Sequence, residues 1–190
     1  PVIGADLNFF DTLELNVSGG VYLNLADDAN WMDNFVVSGT GPLVLTGDSN
    51  FDRLVTLDST GYNEGLDLNV SGSTQLTDVA MGSGDDRVVV NHLAVRSTLE
   101  ANMGSGADVF AVNGATTAGA INALDFTGGV VGAQTLEFVS DISLGADAAL
   151  NMEGFADLTT IVVRDFEGTG NNFTLSNGPA SLDIVAASDF

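Results

Sequence analysis

Two stretches of the chain decide how it folds: Met81-Gly82-Ser83-Gly84-Asp85-Asp86-Arg87-Val88-Val89-Val90-Asn91 and Met103-Gly104-Ser105-Gly106-Ala107-Asp108-Val109-Phe110-Ala111-Val112-Asn113. They align at an offset of 22 residues, and Asp78 and Glu100 fall on the same offset. In each, a glycine-punctuated polar turn leads into an apolar run. Self-similarity at a period of about 20 to 50 residues marks a chain that coils and stacks, because a single coil cannot bury its own apolar face.

The remaining sequence carries looser echoes of this repeat. Leu-Asn-Val-Ser-Gly occurs at Leu15 to Gly19 and at Leu68 to Gly72, and Phe-x-x-Leu opens segments at Phe10, Phe51 and Phe155. Leu13-Glu14-Leu15-Asn16-Val17 and Leu66-Asp67-Leu68-Asn69-Val70 alternate apolar and polar residues, the period of a half-buried strand. About a dozen such runs are separated by Ser-Gly, Gly-Gly and Asn-Gly, whose glycines supply the positive φ of tight turns. The expectation is an all-β chain: a parallel β-solenoid of β-roll-like coils joined by short glycine-rich turns. A β-sandwich is the alternative, since the echoes outside residues 78–113 are loose. At roughly 20 residues per coil and about 4.8 Å per layer, the chain would make about nine coils. Residues 1–190 read as one module, which can be a piece of a longer chain, with 78–113 as its two metal-motif coils.

Composition narrows the function classes. There are 190 residues, 26 acidic against 4 basic, giving a formal charge of −22, and every base is an arginine. Nucleic acid and anionic membrane surfaces are excluded as partners, because both need a basic face. No apolar run approaches the roughly 20 residues of a membrane-spanning helix, so no direct membrane insertion is expected. Cysteine is absent, which removes disulfides and thiolate metal sites. The single histidine, His92, cannot build a zinc site and has no nucleophile-elbow pattern beside it, so no catalytic residue is assigned.

The paired turns carry the chemistry. Stacked one coil apart, Asp86 and Asp108 would repel each other unless a cation lay between them. A hard ion that takes six to eight oxygen ligands, mixing carboxylates with carbonyls, fits that setting, and that ion is calcium. The candidate metal ligands are Gly82, Gly84, Asp85, Asp86, Gly104, Gly106 and Asp108. A plain polar turn between coils is the competing reading. These segments resemble the Gly-Gly-x-Gly-x-Asp-x-apolar-x nonapeptide of the repeats-in-toxin (RTX) proteins, and the text around them is similar to RTX-type surface-layer proteins. Met81 and Met103 stand where that motif has its first glycine. The resemblance implies type I secretion, calcium-dependent folding outside the cell, and a scaffold or adhesive role.

The expected function is therefore a calcium-stabilised structural module of a secreted bacterial cell-surface protein that self-assembles into a surface layer (S-layer), lattice or filament. The repeat arm of a calcium-dependent adhesin, with a cell-surface glycan as partner, is the alternative. A polysaccharide lyase or epimerase, or its accessory module, ranks last, because four scattered arginines poorly offset an acidic substrate. Weaker acidic turns lie at Gly4-Ala5-Asp6, Asp27-Asp28, Asp48 with Asp52, and Gly145-Ala146-Asp147; most are read as solvated, and Asp48 with Asp52 is the next candidate pair. Trp31, flanked by Met32 and Phe35, is expected to be buried.

Overall fold

The computed structural model describes residues 2–4, 10–24, 31–46, 51–167 and 170–187. Three short strands, β1 (Val2–Gly4), β3 (Val21–Asn24) and β5 (Leu43–Thr46), form one sheet. A six-stranded sheet contains β2 (Thr12–Val17), β4 (Asn34–Gly39), β6 (Thr56–Tyr62), β8 (Asp78–Ala80), β10 (Glu100–Asn102) and β12 (Val130–Val131). A second holds β7 (Asp67–Asn69), β9 (Arg87–Asn91), β11 (Asp108–Asn113), β13 (Ala133–Phe138), β16 (Thr160–Arg164) and β19 (Asp183–Ala187). Two small ladders pair β14 (Ile142–Ser143) with β17 (Phe166–Glu167) and β15 (Ala148–Asn151) with β18 (Phe173–Ser176). Up to β13 successive strands alternate between two faces, and from β13 on they cycle through three ladders; each pairs in parallel with its counterpart one coil away. This is a β-solenoid of about seven turns. The β-sandwich alternative fails because sandwiches are built from antiparallel neighbours, whereas the pairing here is parallel.

Strand register explains why there are seven turns and not nine. Thr12, Asn34, Thr56, Asp78 and Glu100 stack in one column at the 22-residue offset. The next step, Ala101 to Val130, takes 29 residues. The extra length is the excursion that holds the five-residue helix α1 (Ala118–Asn122), capped by Thr117, whose hydroxyl accepts the Ala120 N–H. On the other large sheet Val109 pairs with Thr135 and Thr135 with Thr160, so later coils exceed 22 residues as well.

The core is a set of inward columns. Leu68, Val88, Phe110, Leu136 and Ile161 are in register on five successive strands and fully buried. Each such side chain contributes about 1.5–3 kcal/mol of burial. Phe126 and Phe155 pack at a tilt with centroids 4.8 Å apart and both meet Phe110 edge-on, filling the wider late coils. Between β5 and β7 no strand ladder forms. The buried Tyr62 hydroxyl there donates to the Gly41 carbonyl and accepts the Leu43 N–H.

Two of the four arginines are not scattered. Glu137, only 9% exposed, accepts from Arg87 at 2.9 Å and from Arg164 at 3.2 Å, and Arg87 also reaches Asp67. Arg87 crosses strand β11 to do so. Burial works against the Arg87 charge, but Glu137 and Asp67 outweigh it and hold its pKa above the ordinary value. The network ties β7, β9, β13 and β16 across the outer face of one sheet.

Candidate metal site in the stacked aspartate turns

The two motif turns lie on adjacent coils, joined by a bridge between Ser83 and Ser105 and leading into the paired strands β9 and β11. Their glycines are dictated by coil contact. Gly104 has φ +79°, and a Cβ on it would fall 1.9 Å from the Gly82 oxygen. Gly106 has φ +153°, and its Cβ would fall 1.8 Å from the Gly84 oxygen. Any side chain at either position would force the coils apart. The Gly82 carbonyl accepts the Ser105 N–H at 3.2 Å, so it already serves the intercoil ladder.

Asp86 and Asp108 turn inward at the strand entrances and are 2% and 0% exposed. Each brackets the coil before it: Asp86 Oδ1 accepts the Leu66 N–H at 2.7 Å, and Asp108 Oδ1 accepts the Asp86 N–H at 2.9 Å. Asp85 faces solvent and brackets the other way, accepting the Ala107 N–H at 2.8 Å. Of the seven residues read from the sequence, Asp86 and Asp108 thus meet as a buried stacked pair, with Asp85 beside them on the surface. The four glycines contribute main chain to the turns.

The second oxygens of the pair have no partner. Asp86 Oδ2 and Asp108 Oδ2 are buried and make no hydrogen bond. Burial, with the charges of Asp108 and Asp85 in support, pushes the Asp86 carboxyl up to about 6 against the lowering effect of the Leu66 N–H. Asp108 moves the same way, chiefly through burial. The next coil shows what the bracket itself requires. There Gln134 takes the role, its Oε1 accepting the Asp108 N–H at 2.6 Å while its Nε2 donates to the Gly132 carbonyl. A neutral amide therefore suffices for the backbone bond, and both of its polar atoms find partners. The charge at 86 and 108 serves no hydrogen bond that an amide could not make, and an orphaned buried carboxylate oxygen is costly unless it is protonated or meets a cation.

The donors here are hard oxygens, which suit calcium better than a softer metal. Among the described residues no three His, Cys, Asp or Glu side chains group to hold a metal. A cation at this pair would have to draw its remaining ligands from carbonyls and water.

Other residues singled out in the sequence fall elsewhere. Asp78 and Glu100 stack in register on an exposed outer face. Asp147 brackets the Asn172 N–H at 2.8 Å in an exposed turn. Asp6, Asp27, Asp28 and Asp48 lie outside the described residues. His92 packs its Nδ1 against Gly114, whose added Cβ would come within 2.6 Å. Trp31 corrects the expectation of burial: it is 53% exposed, because Met32, Leu54 and Leu76 take the inward column and leave Trp31 outside. Gln134, Glu137 and Asp157, which accepts the Gly132 N–H at 3.0 Å, were not legible beforehand. They sit on later coils whose length departs from 22 residues, so no repeat flags them.

No protein-family model matches the sequence, no curated protein matches it, and no solved structure matches the fold.

Proposed function

We propose that this chain is a calcium-stabilised structural module of a secreted bacterial cell-surface protein, a β-solenoid that self-assembles into a surface layer, lattice or filament. The observation that carries the metal part is the pair of orphaned buried oxygens, Asp86 Oδ2 and Asp108 Oδ2, one coil above a neutral Gln134 that performs the same bracket fully satisfied. Calcium between such carboxylates would neutralise them and link metal binding to folding, so that millimolar calcium adds to the stability of the folded coil. A rod of stacked coils, with most of its charged residues exposed, suits a scaffold better than a catalyst, and no residue is assigned a catalytic role. The resemblance of the two motifs to RTX repeats supports export by a type I system and an extracellular location.

Titration calorimetry with calcium tests the site. Saturable binding at millimolar or tighter concentration is expected, and it should vanish in Asp86→Asn and Asp108→Asn. No heat at several millimolar calcium in the wild type defeats the metal reading. Electron microscopy of the protein in calcium tests assembly separately, with ordered sheets or fibres expected.

A further inference from the structure

The one tryptophan of the chain is displayed on the outside of the rod. Val55 donates to the Asp33 carbonyl and Thr77 to that of Val55, so this corner of the coil keeps the 22-residue register, and the same offset sets Arg53 over Trp31. The Arg53 guanidinium lies 5.6 Å from the Trp31 ring centroid and pairs with Asp33 at 3.4 Å, both partners being partly exposed. Phe10, in register with the buried Met32 one coil below, is 55% exposed. An indole over half exposed forgoes burial that the neighbouring inward column could have given it. The cation stack holds the ring in place, and the Arg53–Asp33 pair sets donors and an acceptor beside it.

We infer that Trp31, Arg53 and Asp33 form a saccharide-binding platform whose ligand is a neutral glycan. Arg53 covers one face of the indole, so a pyranose lays its C–H face on the other, and the ion pair beside the ring reads hydroxyls: Arg53 donates to them and Asp33 accepts from them. The described partners of the ring argue for sugar over protein, since a protein hot spot sits in a contiguous apolar patch that excludes water, whereas the group on Trp31 is Arg53 with its ion-pair partner Asp33. Charge argues for a neutral sugar: Arg53 is already balanced by Asp33, and the chain carries a formal −22, which repels polyanions. The inference goes beyond the scaffold reading and does not require calcium or assembly.

Because Trp31 is the sole tryptophan, its emission reports on this site alone. Fluorescence titration of the intact chain with neutral gluco- and chito-oligosaccharides should give a saturable change, with oligogalacturonate at least tenfold weaker. Calorimetry on Trp31→Ala should show at least a tenfold loss of affinity, Trp31→Phe a smaller one, and Arg53→Ala an intermediate one with the circular dichroism unchanged. No emission change at tens of millimolar of any neutral sugar overturns the inference, as does binding that survives in Trp31→Ala. A change in emission with protein concentration alone, without sugar, would assign the plate to a protein contact and overturn it as well. The sugar titrations and the Trp31 variants do not bear on assembly in calcium, so the two readings fail separately.

Discussion

Asp86 carries two linked properties, a bracket made by one oxygen and an orphan left by the other, and the second makes stability depend on pH in an unusual direction. The folded carboxyl takes its proton at about 6, against an ordinary value of 3.8, so between those values the folded state holds more protons than the unfolded one. Its contribution is therefore fully present below about pH 4 and is lost as pH rises through 6. A shift of this size corresponds to about 3 kcal/mol. In chelator, urea unfolding should show the wild type losing roughly this much between pH 4 and 7.5 relative to Asp86→Asn, which keeps an acceptor for the Leu66 N–H and lacks the titration. Parallel pH profiles for the two proteins would mean that the orphan oxygen is solvated. The aspartates themselves were legible from the repeated Gly-Ser-Gly-x-Asp. That each one brackets the N–H of the preceding coil was not, because strand pairing between coils decides which amide lies opposite.

At the level of elements, the strands with the strongest apolar runs, such as β9 and β11, were readable, while β8 and β10 were not. Asp78-Val79-Ala80 and Glu100-Ala101-Asn102 offer a single inward position each, and only their neighbours in register make them strands. The Asp67–Arg87–Glu137–Arg164 network was equally hidden, since Arg87 and Glu137 are 50 residues apart in sequence. Its energetics follow from burial: Glu137 is nearly enclosed while both arginines keep partial access to water. Replacing it by glutamine leaves two guanidinium groups facing a neutral amide. Loss of one member of a buried pair costs about 3–5 kcal/mol, and partial exposure of the arginines lowers the expectation to about 1–3 kcal/mol. Chemical denaturation of Glu137→Gln checks this, and a double-mutant cycle with Arg164→Met should give a coupling well above experimental error. A Glu137→Gln protein as stable as the wild type would reduce the network to a surface ornament.

The whole molecule presents the charge problem at its largest. Stacking repeats in register places like charges directly above one another, as with Asp78 and Glu100, so a rod of formal charge −22 works against itself in low salt. Two remedies are physically distinct. Mobile salt screens all exposed carboxylates, with a Debye length near 8 Å at about 0.15 M, but hardly reaches the enclosed Asp86 and Asp108. A bound divalent ion acts at those two and nowhere else in particular. Melting in sodium chloride and in calcium chloride at equal ionic strength separates them. A site with a Kd of about 1 mM in about 10 mM calcium adds about 1.4 kcal/mol. In a domain of this size that raises Tm by about 3–6 °C beyond the sodium value. The excess should disappear in Asp108→Asn, while the response to sodium persists there, because the exposed acids are untouched. Equal melting in the two salts would leave general screening as the explanation for every acidic residue of the rod, Asp86 and Asp108 included.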